Sequence, residues 1–547
     1  MSNTRIRILF SLVTTAVLIL CSSVFHFDAE ADGKSYSSLV YPGSGGRLVY
    51  VPDERGNTIP DYSYAGYAGG GVKLPRVPVR ATVEPGGGND AARIQEALDM
   101  VSALPTDKNG FRGAVLLKKG RYELDKPIRI TQGGVVLRGE GQGDTGTVLF
   151  GKGAITDSEY GDKFRNATLI VIEGESGRIE MPDTKRAVTD DYVPFGARSF
   201  HVADTRPFHV GDTVIVRRFT NRAWFDTLGI DMDSDVWKNE PKTFDFDRII
   251  TGIEGNLVTV DVPLTCPIEA AWGGGELVRY SSPGRISHVG VENLQGMSDF
   301  DRTVRSREYG NMDRSPYIGD EYYSDENHYF NFISIDNAEN AWVRNVTALH
   351  FASACVYIKE GSKWVTVQDC ITREPVSVCA GGRRFTYHIS GQQCLVQRCQ
   401  SDKGRHSFVQ GGKMTCGPNV FLDCTATIPY SSSEPHERQI SGALYDNVHA
   451  PIALRYAKSN PPRWMSIYSL LWNCEGMYIV QKPPACQNYA IGHIGIHAMV
   501  FNKNLIDYSY ENGFIESWDR HVEPRSLYLK QLEERLGKQA VKNIGAE

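Results

Sequence analysis

The feature that most constrains this chain is a short segment that returns along its second half. An apolar run is followed by Asn or Asp and then by Cys or another apolar residue. It reads Val289-Gly290-Val291-Glu292-Asn293-Leu294, Trp342-Val343-Arg344-Asn345-Val346 and Val365-Thr366-Val367-Gln368-Asp369-Cys370. It continues as Leu395-Val396-Gln397-Arg398-Cys399, Val420-Phe421-Leu422-Asp423-Cys424, Ala443-Leu444-Tyr445-Asp446-Asn447-Val448 and Leu470-Leu471-Trp472-Asn473-Cys474. From Val346 the last residues fall at 370, 399, 424, 448 and 474, steps of 24, 29, 25, 24 and 26. A period of that size predicts a solenoid with one coil per step. The penultimate residue is Asn or Asp in six of the seven segments. A tight corner between two strands needs a left-handed backbone, which Asn and Asp tolerate. The last residue then points inward, and Cys370, Cys399, Cys424 and Cys474 pack as buried thiols. Free thiols are the preferred reading, although stacked coils bring Cα atoms within disulfide range and export permits oxidation.

Each coil reads as three short strands, with the longest connection between the third strand and the next first strand. Loops at that edge can vary without disturbing the core, so a site belongs there. The predicted division is a signal peptide over 1–31, an irregular arm over 32–85, a capping helix with the first coils over 86–185, an inserted β subdomain over 186–282, the main coils over 283–510 and a tail with a helix over 511–547. The export signal rests on Arg5 and Arg7 before the apolar run Ile8 to Leu20, with Ala29-Glu30-Ala31 as a cleavage site. A secreted or periplasmic protein with no membrane span in its mature form is expected. The capping helix rests on Asn89 or Asp90 before Ile94, Ala97, Leu98 and Val101, which share one helical face. In the insertion, Trp224, Phe225 and Trp237 can stack on sugar rings or, more ordinarily, pack the insertion against the coils. A formal net charge of −6 gives no global basic field, which argues against a nucleic-acid partner.

The opening strands are Gly113-Ala114-Val115, Gly120-Arg121-Tyr122 and Val135-Val136-Leu137-Arg138-Gly139-Glu140-Gly141, after Asp90 and Ile94-Gln95. This pattern resembles the pectate-lyase-like superfamily of right-handed parallel β-helices. The resemblance implies an all-β solenoid, and it spans lyases, hydrolases, esterases and phage tailspikes, so it does not fix a reaction. Asp325-Glu326-Asn327-His328, Gly381-Gly382-Arg383-Arg384, Gly404-Arg405-His406 and Pro435-His436-Glu437-Arg438 look like segments of an exported bacterial subgroup of that superfamily.

The residues entering the first strand of successive coils are Asp325-Glu326-Asn327-His328, His350, Arg383-Arg384, Lys403-Gly404-Arg405-His406 and His436-Glu437-Arg438. Strands stacked about 4.8 Å apart would line them along a groove roughly 20 Å long. His406, His436, Arg405 and Arg438 are the catalytic candidates; Arg383, Arg384, Lys403, His328 and Tyr387 are the substrate-binding ones. Singly, each has an ordinary role capping carbonyls at a turn. Together they suit an acidic polysaccharide or oligosaccharide.

The first reaction expected is β-elimination on a uronate-containing glycan. Guanidinium groups bind the carboxylate bidentately, imidazole serves as base near neutral pH, and Tyr387 supplies the proton. The resemblance implies that Ca²⁺ can take the carboxylate-neutralising role, as β-helix lyases often use it; Asp325 and Glu326 are the weak ligand candidates, with no calcium-loop pattern around them. A glycoside hydrolase needs two carboxylates across the bond, to be drawn from Asp325, Glu326, Asp336, Glu374, Asp402 and Glu437. A non-catalytic glycan-binding surface protein is the third reading.

Overall fold

The computed structural model of the chain describes residues 33–153, 167–175, 177–235, 237–240, 242–309, 319–459, 462–501 and 503–546. The expected export segment lies outside the described residues. From Val79 to Glu516 the backbone winds as a parallel β-helix, in which each strand pairs with the strand one coil on. Among the described residues no helix is long and apolar enough to cross a membrane.

The corners repeat as the sequence pattern demands. Asn293, Asn345, Asp369, Arg398, Asp423, Asn447 and Asn473 all take positive φ, between 49° and 59°. The penultimate positions of all seven segments are therefore left-handed corners, and Arg398 is held there by Asp369, which accepts from its Nε at 2.7 Å. After each corner the last residue turns into the lumen. Cys370, Cys399, Cys424 and Cys474 are buried and unbridged. Each thiol donates to a carbonyl one coil back: Cys370 to Val343, Cys399 to Val367, Cys424 to Val396 and Cys474 to Tyr445. The lumen is otherwise filled by stacked apolar side chains such as Ile333, Val356, Tyr387 and Phe408.

The N-terminal end of the lumen is covered by a helix, Ala91–Ser102, whose Ile94, Ala97, Leu98 and Val101 are buried in the same cluster. Its first turn is capped differently from a simple Asp N-cap. Asn89 Oδ1 accepts from Ala91 N, while Asp90 Oδ1 takes Gly86 N and Arg93 Nη1. Leu527–Leu536 forms a second helix, with Ser526 as its cap, along the outside of the coils beside Asp446, and it clamps the N-terminal arm: Gln531 Nε2 donates to Pro60 O and Tyr528 Oη to Ala65 O.

Between the early and main coils lies an antiparallel sheet, in the order Ile179–Glu180, Gly275–Ser281, Thr213–Phe219, Thr243–Glu254, Leu257–Val260 and Ser199–His201. Trp224, Phe225 and Trp237 are all buried, so they do not offer faces to a sugar. Phe225 packs edge-on against Trp237, and Trp224 Nε1 donates to Gln439 Oε1 of the main coils at 2.9 Å. Their role is to fix this sheet against the solenoid.

One face of the solenoid carries the site. Its seven parallel strands are β1 (Ile128–Ile130), β2 (Thr168–Glu173), β3 (Asn331–Asp336), β4 (Val356–Ile358), β5 (Phe385–Ile389), β6 (His406–Lys413) and β7 (Glu434–Arg438). Tyr387, Ile389 and Phe408 point into the lumen. Alternation therefore turns Tyr357, His388, Val409 and Glu434, which share one register column, to the outer face.

Candidate functional site

Gly404 allows the chain to enter β6 tightly, since a Cβ there would lie 2.7–2.8 Å from the hydroxyls of Ser401, Ser407 and Thr386. The next two residues, Arg405 and His406, meet β7 from the following coil. The rings of His406 and His436 are 4.7 Å apart, and Phe385 lies edge-on to both, at 5.0 and 4.9 Å. Between them stands a residue that motif reading passed over, Glu434, which is fully buried. It accepts from His436 Nδ1 at 2.8 Å, from Ser432 Oγ at 3.0 Å and from Arg455 Nε at 3.0 Å, with Arg455 Nη2 at 3.2 Å on its other oxygen. Burial alone would push the Glu434 carboxyl up, but Arg455 and the two histidines hold it well below the usual carboxylate range.

These bonds define the tautomers. A carboxylate and a carbonyl can only accept, so His436 donates Nδ1–H to Glu434, and His406 donates Nδ1–H to Ser432 O at 2.5 Å. Both rings then keep a lone pair on Nε2. That of His406 is buried without a protein partner, whereas His436 retains 15% of its side-chain exposure. Burial and the Arg405 charge lower the pKa of both imidazoles, His406 the further, so both are neutral at pH 7.

A third imidazole, His388 on β5, stacks on Tyr357 at 4.3 Å with the rings nearly parallel. It leans over Gly411, where a Cβ would come within 2.4 Å of its Nε2. Burial and the neighbouring His436 push His388 down to about 3.

Arg405 supplies the remaining charge. Its Nη1 donates to Gly381 O, but its Nε is buried without a partner, and burial lowers its pKa to about 10. With Arg455 matched by Glu434, Arg405 is the surplus cation beside three neutral imidazoles.

The structure places the other predicted residues elsewhere. Arg438 pairs with Glu240 of the inserted sheet at 3.0 Å, as does Lys413 at 2.7 Å, so Arg438 ties the insertion down rather than facing His436. Arg383 makes a two-pronged pair with Glu326, 2.7 Å on each arm. Arg384 is buried, donating to Ser377 O, with Tyr322 and Tyr430 beside its guanidinium. His328 is buried among Ser298 Oγ, Asp325 O and Val376 O. Tyr387 lies in the lumen, stacked on Phe408, with its hydroxyl on Gln400 O. Lys403 is a left-handed corner residue whose amide donates to Thr427 O. Glu434, Arg455, His388 and Tyr357 are the residues sequence reasoning missed. Glu434, two residues before His436, and His388, next to Tyr387, sat close enough to candidates to be found by spacing.

Asp325 closes a local turn, accepting from Asn327 N and Asp301 N, and Glu326 is held by Arg383, so neither is set up for Ca²⁺. His406, Glu434 and His436 do bring ligand atoms within 4.8 Å of one another. Nitrogen donors beside two guanidiniums do not suit a hard cation, and any metal would have to displace Arg455 from Glu434.

No protein-family model and no curated protein matches this chain. Solved structures similar in fold include the Gp54 tailspike of Acinetobacter baumannii bacteriophage AP22, determined with a capsular saccharide. Its identity is 11% and its TM-score 0.42, over 75% of this chain and 56% of that one. The gp49 tailspike of Pseudomonas phage LKA1 gives 13% and 0.42, over 74% and 56%. An alginate lyase from Paenibacillus sp. gives 9% and 0.28, over 76% and 87%. The chain thus spans just over half the length of the two tailspikes. Likeness at this level bears on neither reaction nor ligand.

Proposed function

We propose that this protein is a carbohydrate-active enzyme that cleaves a uronate-containing glycan by β-elimination, acting outside the cytoplasm. The observation that carries this reading is the Glu434–His436 pair beside the surplus cation Arg405. Elimination requires the C5 proton to be acidified by neutralising the adjacent carboxylate, then removed by a base. Arg405, with an unspent Nε donor, suits the carboxylate. His436 suits the base: Glu434 fixes its tautomer and orientation, and Nε2 is the free lone pair, as in other carboxylate-oriented imidazoles. His406, behind it, keeps the pocket neutral and packed. With Tyr387 in the lumen, the phenol best placed to return a proton to the leaving oxygen is Tyr357, on the outer face opposite His388.

Hydrolysis is the second reading. Glu360, just past β4, has its carboxyl pushed up by burial, with Glu437 among the nearby charges, which is the direction a general acid needs.

The test is a panel of uronate-containing and neutral polysaccharides, scored both for the ultraviolet absorbance of unsaturated uronyl ends and for reducing ends. Elimination gives both signals. His436→Ala is expected to lower the absorbance rate by about 10²- to 10⁴-fold, the usual worth of a positioned base. Reducing ends without absorbance would establish hydrolysis. Absorbance that survives His436→Ala undiminished would remove His436 from the mechanism.

A further inference from the structure

The outer face does not end at the imidazoles. Beyond His388 and Lys413 the main coils and the inserted sheet enclose a polar cleft of about 550 Å³, which adjoins a second space of about 240 Å³. Both are lined by Arg178 and Glu360, and the second also by Ser390 and Lys413. The first is within the usual range for ligand pockets, ~300–1,000 Å³. Ser390 lies two residues beyond His388, on the same face and roughly 7 Å along the strand direction. The cleft therefore lies beside the site.

Its charges are almost entirely spent. Arg178 is paired with Asp245 at 2.6 Å and Glu180 at 3.2 Å. Lys413 is paired with Glu240, and Lys363 and Arg285 both meet Asp247, at 2.9 and 3.0 Å. Two polar groups are left over. Ser390 Oγ is buried with no well-formed hydrogen bond, its polar neighbour being the Tyr357 hydroxyl, and Glu360, exposed at the rim, has no ion pair among the described residues. A buried hydroxyl so placed is a cost that a ligand's hydroxyl would relieve.

We infer that this cleft binds uncharged, hydroxyl-rich sugar residues, and that the substrate is a mixed glycan in which neutral sugars adjoin the uronate rather than a homopolymer of uronate. The inference rests on the elimination reading for the uronate position. The contrast between the two ends carries it. Around His436 the surplus charge is the cation Arg405, which favours a carboxylate. In the cleft the lining cations and anions balance, so no cation is left over for a carboxylate, whereas the unpaired Glu360 accepts readily from vicinal hydroxyls and Ser390 can both donate and accept.

The experiment is saturation-transfer NMR of uncharged tetrasaccharides (xylotetraose, mannotetraose, galactotetraose) and of a tetrauronate, each at millimolar concentration, with the wild-type chain, Glu360→Ala, Ser390→Trp and His436→Ala. At least one neutral probe is expected to bind the wild-type chain and His436→Ala alike. Glu360→Ala is expected to weaken it about tenfold or more, about 1.4 kcal/mol, and Ser390→Trp to abolish it, with tetrauronate binding retained by Glu360→Ala. Because Glu360 is exposed, its removal leaves the fold intact. Absence of binding by every neutral probe, or neutral binding indifferent to both Glu360→Ala and Ser390→Trp, overturns the inference. Loss of elimination chemistry with the neutral binding intact would instead overturn the uronate reading alone.

Discussion

Glu434 is the residue on which the site depends. It is a fully buried carboxylate whose oxygens are shared by Arg455, Ser432 and His436. A buried ion pair broken on one side leaves an uncompensated charge, at a cost of about 3–5 kcal/mol, whereas replacing both partners by groups of similar shape is far milder. Glu434→Gln should therefore lower unfolding stability by about 3 kcal/mol or more in urea, because Arg455 is stranded. Glu434→Gln combined with Arg455→Met should regain at least about half of that loss. Activity should separate from stability. Both variants lose the carboxylate that orients His436, so elimination should stay depressed by about 10²-fold or more in the double variant as well. If the double variant recovered activity along with stability, Glu434 would be a packing residue and nothing more.

At the scale of the element, the solenoid is held by a rule that recurs once per coil. The corner residue takes a left-handed backbone; the side chains of Asn345 and Arg398 reach back along the stack to Asn293 and Asp369, while those of Asp423, Asn447 and Asn473 meet the segment around Arg525. Asn345, at φ 51°, donates from Nδ2 to Asn293 Oδ1 at 3.0 Å. A left-handed conformation costs an ordinary L-residue about 1–2 kcal/mol, and a lost hydrogen bond adds about 1 kcal/mol. Asn345→Ala should accordingly destabilise the fold by about 2–3 kcal/mol. Asn345→Gly removes the same bond but not the conformational ease, so it should cost roughly 1 kcal/mol less than alanine despite glycine's freer unfolded chain. Equal losses in chemical denaturation would mean that the backbone at this corner carries no strain. The inserted sheet follows no such rule. It meets the coils through a shared apolar cluster and scattered polar contacts, among them Trp224 on Gln439, Asp247 on Lys363 and Glu240 on Lys413 and Arg438, which is why periodicity gave no hint that Arg438 belongs to that joint.

Over the whole molecule, the fold was legible wherever a local rule repeats. The Asn and Asp corners and the inward Cys positions follow from coil length, because each coil must turn at the same places to stack. The site was legible only in part. Coil arithmetic places His406 beside His436, but it cannot say which side chains face outward or what the next coil brings. Arg455 arrives from that coil, and His388 stands mid-strand without any motif. Burial of imidazoles also sets a property of the entire fold. His388 and His493 are pushed down to about 3 and about 4 by burial, and His328, His350, His406 and His436 are lowered as well. Unfolding returns each toward the ordinary 6.5, so below that pH the unfolded chain binds more protons. Stability from these groups is complete above pH 6.5 and is lost as pH falls toward their folded values. Five carboxyls work in the opposite sense, Asp61, Asp261, Asp336, Glu360 and Asp446, the last raised by burial to about 7, against the six imidazoles named and two more, His288 and His497, that burial also lowers. The unfolding midpoint should therefore drop on acidification from pH 6.5 to 4.5. His493 offers a control far from the cleft: its Nε2 donates to Gly476 O at 2.9 Å, a bond that glutamine can replace without titrating. His493→Gln should flatten the pH dependence by up to about 1.4 kcal/mol per pH unit, the worth of one proton. An unchanged slope in that variant, measured by urea unfolding across the same range, would mean that His493 is already protonated in the folded chain.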